Sequence, residues 1–475
     1  MSRKLFLPFL LIAAMLLLAA CPSAAPAPAE PAAPADQPAA ATEAPAEPAA
    51  APAADTSGVE ELKILWAQWD PADYLQQIGN MYEEATGTKV TIVQEPWGSF
   101  YNLFATEVAA EGDTWDMVVG DSQWLGQMAT EGHYVDLTQF LTETGLKDTV
   151  VPATLTYYGE YPTGSGTYWA YPTEGDADGW AYRKDLFENP DEMAAFEAEY
   201  GYPLAIPETY DQLMDIAKFF TRPDDGLYGV AIYTQKDYDA ITMGVENTLF
   251  PFGADWKDAN NNVEGVLNSP EGVAAVQYYK DLYDCCQAPG LSNAFFAETN
   301  DAMISGQAVM GMNYFAFLPA LVNEGTNPDY FDKMGFFANP TGPSGERGAA
   351  LGGQGMSIVS HISPERQQAA MDFIKWFGQD DIQAKWAEVG GYTTNQAVFE
   401  SDAFLNATPY NRAFAETMQN VKDFWNIPIY GQLLEISQRE LSKFIVEGQG
   451  TAQETMDTIA AEHQKILEEN GYITK

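Results

Sequence analysis

Leu62-Lys-Ile-Leu-Trp66, Val90-Thr-Ile-Val-Gln94 and Trp115-Asp-Met-Val-Val-Gly120 decide the fold. Each is a short run rich in β-branched, aliphatic or aromatic residues, the composition of a buried strand. Between the first two, Tyr74, Ile78, Met81 and Tyr82 share one helical face, and Gly87 supplies a stop. Between the second and third, Ser99 to Ala110 reads as another helix. Strand–helix–strand order at this spacing predicts an α/β fold, a parallel sheet covered by helices. In such sheets ligands collect beyond the carboxyl ends of the strands. That rule selects Ala67-Gln68-Trp69, Glu95-Pro96-Trp97 and Asp121-Ser122-Gln123-Trp124, each a tryptophan beside polar side chains. A single tryptophan there is ordinary core packing; three at successive strand ends predict a binding cleft.

Further along, helix boundaries are well marked. Ser363-Pro364 sets a capping residue before a first-turn proline, and Ala370, Phe373, Ile374 and Phe377 follow on one face before Gly378. Thr451-Ala-Gln-Glu454 predicts a capping box ahead of Met456, Ile459, Ala460, His463, Ile466 and Leu467. On that apolar face His463 is expected to be structural. Length from about Gly58 onward suits two domains with sizeable cores.

The net charge of −45 argues against nucleic-acid binding, which needs a basic footprint. Cys285-Cys286 forms no part of a disulfide framework; the two are either a vicinal disulfide or buried thiols at a helix end. His133, His361 and His463 lack zinc spacing. Asp258-Ala-Asn260-Asn-Asn262 lacks a calcium loop's glycine at position six and glutamate at position twelve, where Val263 and Ser269 stand. No metal or cofactor is expected.

At the amino terminus a basic start (Arg3, Lys4), an apolar stretch from Leu5 to Leu18 and small residues before Cys21 have the form of an export signal. The cysteine placement resembles the bacterial lipobox, which implies acylation of Cys21 and cleavage before it. Residues 1–20 are then a lipoprotein signal peptide. Residues 21–57, almost entirely Ala and Pro from Pro22 to Ala54, are a disordered tether without apolar periodicity. The expected location is the outer face of the cytoplasmic membrane, periplasmic or extracellular, with the lipid as the only membrane anchor.

A series of motifs then follows in order. It runs through Gly132-His-Tyr-Val-Asp-Leu137, Tyr171-Pro172, Trp180-Ala-Tyr-Arg-Lys-Asp-Leu186 and Pro207-Glu-Thr-Tyr-Asp-Gln-Leu213. It continues with Ser305-Gly-Gln-Ala-Val-Met310, Pro340-Thr-Gly-Pro-Ser-Gly345, Gly352-Gly353, Phe373-Ile-Lys-Trp376 and Gly390-Gly-Tyr392. Together they resemble the extracellular solute-binding proteins of ABC transporters, in the carbohydrate-binding family that includes maltose-binding protein. Tyr210, Gln212 and Thr393-Thr394 depart from its usual residues. The resemblance implies two α/β lobes, each a mostly parallel sheet flanked by helices, joined by hinge crossings near Tyr171-Pro172 and Asn339-Pro340. The first lobe would hold 58–172 and 341–398; the second would hold 173–340, with 399–475 as carboxyl-terminal helices on it. It also implies a monomer that binds a sugar, oligosaccharide or polyol, without catalysis, and delivers it to ABC permease subunits.

Sugars present C–H faces to aromatic rings and hydroxyl rims to polar side chains. The rim candidates are Gln68, Glu95, Asp121, Ser122, Glu174, Asp176 and Gln354. The stacking candidates are Trp69, Trp97, Trp256, Tyr314 and Tyr392, with Gly353 beside Gly352 allowing close backbone approach. Two rivals share these residues. Carboxylates flanked by tryptophans also describe a glycoside hydrolase. Glu174-Gly-Asp176-Ala-Asp178 also suits a cationic amine such as a polyamine.

Overall fold

The computed structural model describes residues 58–236 and 238–473. The expected signal peptide, tether and Cys21 lie outside these residues.

The opening elements are β1 (Glu61–Ala67), α1 (Asp70–Thr86), β2 (Lys89–Glu95), α2 (Trp97–Ala109), β3 (Met117–Asp121) and α3 (Ser122–Thr130). β1 lies parallel to both partners, with Ile64 opposite Ile92 of β2 and Met117 of β3. α1 starts at Asp70 and carries Pro71 and Asp73 in its first turn, where a missing N–H and negative charge are both tolerated. It ends at Gly87, whose φ of 84° is the left-handed cap that a glycine supplies without strain. Its buried face, Leu75, Ile78 and Tyr82, covers the sheet.

The later strands are β4 (Tyr171–Arg183), β5 (Tyr228–Ala231), β6 (Ala308–Tyr314), β7 (Met334–Phe337), β8 (Ala349–Ile358) and β9 (Val421–Lys422). The sheet runs β2-β1-β3-β8-β4-β6-β5, with β7 added on β4 and β9 on β8. β5 and β6 are parallel. β4 is antiparallel to β8, from Tyr171 opposite Met356 to Ala177 opposite Leu351, and then antiparallel to β6 and β7. β8 is antiparallel to β3 as well. The fold is therefore α/β and two-lobed, with a parallel β2-β1-β3 group in the first lobe. The expectation of a mostly parallel second sheet is refined: it is mixed, because β4 runs against β6 and β7.

Two large cores flank this ladder. One gathers Leu62, Ile64, Trp66, Leu75, Phe100, Val119, Met356, Ile358, Phe373 and Phe377. The other gathers Trp180, Tyr210, Leu213, Val230, Leu249, Val276, Met310, Leu433 and Ile459. A smaller cluster around Ala177, Phe315, Leu351, Tyr392 and Phe414 sits with the middle of β4 and β8.

Caps occur where the sequence places them. Ser363 accepts a bond from the Arg366 amide, and Thr451 accepts one from the Glu454 amide. His463 is buried against Trp256, next to Ser437 and the Leu433 carbonyl, in a structural setting. Cys285 and Cys286 form a vicinal disulfide at the end of helix Pro270–Cys286. The Asp258 carboxylate accepts bonds from the Asn260 and Asn262 amides and the Asn262 side chain, so the loop's own donors occupy it. Among the described residues no helix is long and apolar enough to cross a membrane.

Gly353 of β8 lies opposite Gly175 of β4. Its φ is 98°, and a Cβ there would meet the Glu174 carbonyl oxygen at 2.2 Å and the Asp176 nitrogen at 3.0 Å. Both obstacles are backbone and cannot swing aside. Gly353→Ala is therefore expected to cost roughly 2–4 kcal/mol in urea unfolding. A loss under about 0.5 kcal/mol, the range of an ordinary surface change, contradicts this packing.

Candidate functional site

The parallel strands of both lobes point their carboxyl ends at one cavity of about 470 Å³. From β1 comes Trp69, the residue before α1; from β2 comes Trp97, the first residue of α2. β3 ends at Asp121, and Ser122 opens α3. The segment after β5 brings Gln235, Tyr238 and Asp239, and β6 ends at Tyr314. Asp176 of β4 and Leu351 to Gln354 of β8 form the wall between these groups, and Phe295, Phe296 and Phe317 close the apolar side. The volume falls within the ~300–1,000 Å³ typical of small-molecule sites.

The aromatic lining is held edge to face. Trp69 meets Trp66 at 5.6 Å and Trp97 at 5.4 Å, both near perpendicular, while Phe296 stacks on Phe317 at 4.2 Å. Several contacts join the two groups of strand ends. Tyr238 donates to Asp121 at 3.1 Å and edges Trp97 at 6.0 Å; Gln123 donates to Asp239; Trp69 meets Phe317 at 6.2 Å. Tyr238 does so at a φ of 57°, a conformation costly for a bulky side chain and concentrated at functional sites.

Three polar atoms of the lining lack a partner among the described residues. Trp66 donates to Gln354 Oε1, which fixes the amide and leaves Nε2 near the Asp121 carboxylate without a hydrogen bond. Trp69 Nε1 and Asp239 Oδ1 are also unpaired. Burying such groups without partners costs about 1–3 kcal/mol each, a cost that a bound polar ligand removes.

The electrostatics are one-sided. Asp121, Asp176, Asp239 and Glu298 line the cavity, and no lysine or arginine does among the described residues. Asp176 accepts bonds from the Ala177 amide at 2.8 Å and the Ala316 amide at 3.2 Å. Glu174, Asp178, Glu246 and Asp423 are buried nearby, with Asp178 accepting from Asn247 and Glu246 from Trp256. Loss of hydration raises the carboxyls of Asp121, Glu174, Asp176, Asp178, Asp239 and Glu246; repulsion by Asp176 adds to the rise at Glu174. Burial pushes Asp423 up to about 8.

Of the sequence candidates, Trp69, Trp97, Asp121, Ser122, Asp176, Tyr314, Gly353 and Gln354 meet at the cavity. Five are placed elsewhere. Gln68 is exposed, its backbone N–H donating to the Glu95 carbonyl, and the Glu95 carboxylate accepts a bond from the Ser99 hydroxyl at 2.6 Å. Glu174 lies inside the β4–β8 ladder opposite Gln354, and does not line the cavity. Trp256, expected as an exposed platform, is instead a core residue whose indole donates to one oxygen of Glu246. Tyr392 is buried against Phe414 and donates to the Phe315 carbonyl at 2.6 Å. Tyr238 and Asp239, which also line the cavity, are not among the sequence candidates. The strand-end rule applied to Tyr228-Gly-Val-Ala231 reaches them, but that strand is short and weakly marked. Phe295 and Phe296 follow no strand, and nothing in their spacing signals a site.

A two-lobed α/β fold whose strand ends converge on an apolar, polar-tipped cavity is the architecture of a solute receptor. A family model for bacterial extracellular solute-binding proteins matches residues 77–413, and the chain belongs to that family. Among relatives, YcjN of Escherichia coli K12, named as an ABC transporter periplasmic-binding protein, is 28% identical over 229 residues. That alignment covers 47% of this chain and 46% of the relative, less than half of its length. The mannitol-binding protein of Pseudomonas aeruginosa is 21% identical over 371 residues, 77% of this chain and 80% of that protein. Maltose-bound MalE3 of T. maritima superposes with a TM-score of 0.72 at 25% identity, over 86% of this chain and 100% of that one.

The buried carboxyls make a pH prediction. A carboxyl raised on folding holds its proton in the folded chain and loses it in the unfolded one, so the folded state gains stability as pH falls. For Asp423 the window runs from about 8 down toward the ordinary 3.8. Asp423→Asn removes this share, so the variant gains on the parent at pH 8 and loses that advantage toward pH 4. His463, which burial holds down near 4, contributes the opposite slope in both proteins and cancels in the comparison. Urea unfolding across this range checks it; parallel pH profiles for the two proteins contradict it.

Proposed function

We propose that this protein captures a hydroxylated solute (a sugar, an oligosaccharide or a polyol) in the strand-end cavity and delivers it to the membrane subunits of an ABC-type importer. The observation that carries the reading is the cavity's composition: aromatic faces to cover C–H surfaces, with Gln354 Nε2, Trp69 Nε1 and Asp239 Oδ1 left for hydroxyls. The mannitol-binding and maltose-bound relatives support the same ligand class.

In this reading the lobes comprise 58–172 with 341–398 and 173–340 with 399–475. The segments crossing between them flex, and the contacts of Tyr238 with Asp121 and Gln123 with Asp239 hold the closed form. A solute drives closure only through tighter binding to that form. The role is binding without turnover, by a monomer tethered through lipid on Cys21.

A thermal-shift screen of sugars, oligosaccharides and polyols tests the ligand class. A solute at about 100 times its Kd adds ~2.7 kcal/mol of stability and a clear rise in Tm. Trp69→Ala is expected to weaken that solute by about 1–3 kcal/mol through lost ring contact. An unchanged Kd in the variant removes Trp69 from the site, and no shift with any hydroxylated solute overturns the reading. For the tether, Cys21→Ser is expected to move the protein from the membrane to the soluble fraction; retention on membranes contradicts acylation there.

A further inference from the structure

We infer that the solute carries a basic nitrogen as well as hydroxyls, so that the ligand class is an amino sugar or amino polyol whose ammonium group seats against Asp239 and Asp121. This inference rests on the cavity being the solute site, as proposed above.

Three observations support it together. Asp239 is 1% exposed and lines the cavity with Oδ1 unpaired, its other oxygen being held by Gln123. Asp121, whose charge acts directly on Asp239, lines the same cavity, and Tyr238 links the two by donating to Asp121. The rings of Trp97, Tyr238 and Phe295 form a row beside them: Trp97 meets Tyr238 edge to face at 6.0 Å, and Tyr238 meets Phe295 tilted by 42° at 6.3 Å. Carboxylates next to aromatic faces are the surroundings in which an ammonium group is held by both ion pairing and ring quadrupoles.

Charge balance separates this from a neutral ligand. None of Asp121, Asp176, Asp239, Glu246 or Asp423 takes part in an ion pair among the described residues. A neutral sugar that displaces water from the cavity deepens their desolvation and offers no compensating charge. An ammonium group supplies it. Burial raises the Asp121 and Asp239 carboxyls and a facing ammonium group draws them back down, so binding is expected to release protons to the buffer.

The test is titration calorimetry of the protein with matched pairs: glucosamine and glucose, galactosamine and galactose, and 1-amino-1-deoxysorbitol and sorbitol. Each pair is run in two buffers of different ionisation heat. The expected result is that the amine of at least one pair binds about tenfold or more tighter than its hydroxyl counterpart, a difference of ~1.4 kcal/mol, with net proton release. In Asp239→Asn that preference falls to about onefold, a loss of the same ~1.4 kcal/mol. Equal or tighter binding of the neutral members overturns the inference and leaves the cavity's role as a solute site standing. Amine preference without proton release, or preserved in Asp239→Asn, overturns the assignment to this carboxyl pair. Heats absent for every compound overturn the inference, and the sugar-site reading falls with it only where the thermal-shift screen also finds no hydroxylated solute.

Discussion

Between Tyr171 and Ala177, β4 runs antiparallel to β8, and the two strands leave that shared ladder toward different cores. β4 goes on to pair with β6 and β7, whereas β8 goes on to pair with β3. Their register decides what faces the cavity, because it sets Asp176 opposite Gly352 and Glu174 opposite Gln354. A slip of one residue would turn each side chain to the opposite face of the sheet. Gly353, with no room for a Cβ beside the Glu174 carbonyl, helps to hold that register.

From this fixed centre the rest of the site follows from strand polarity. β1, β2 and β3 on one side, and β5 and β6 on the other, end at the same space. Residues just past a strand end are free of ladder bonding, so Trp69, Trp97, Tyr238 and Asp239 are available to a ligand while the ladder holds their backbones. The unpaired atoms and raised carboxyls come from the same geometry. Polar groups have been taken out of water at a place where no partner among the described residues satisfies them.

The sequence reveals this polarity for the first lobe, where Leu62–Trp66, Val90–Gln94 and Trp115–Gly120 carry strong apolar runs and each leads to a tryptophan. It conceals it for the second, because Tyr228–Ala231 has only four residues and its loop lacks a tryptophan. Side-chain type alone also misleads. Trp256 and Tyr392 resemble sugar platforms in isolation, yet tertiary packing gives their polar atoms to Glu246 and to the Phe315 carbonyl. The three acids of β4 share one face by the two-residue period of a strand, but Glu174 is roofed by the β8 ladder and Asp178 is taken by Asn247. Only Asp176 reaches the cavity, and that depends on long-range register that local sequence does not encode.

The most direct test of the central claim is a crystal structure of the protein with the solute that stabilises it most. The account predicts density for that solute between Trp69 and Tyr314, with Gln354 Nε2 and Asp239 Oδ1 both within hydrogen-bonding distance of it. Solute bound at another surface, with those two atoms still unpaired, would contradict the account.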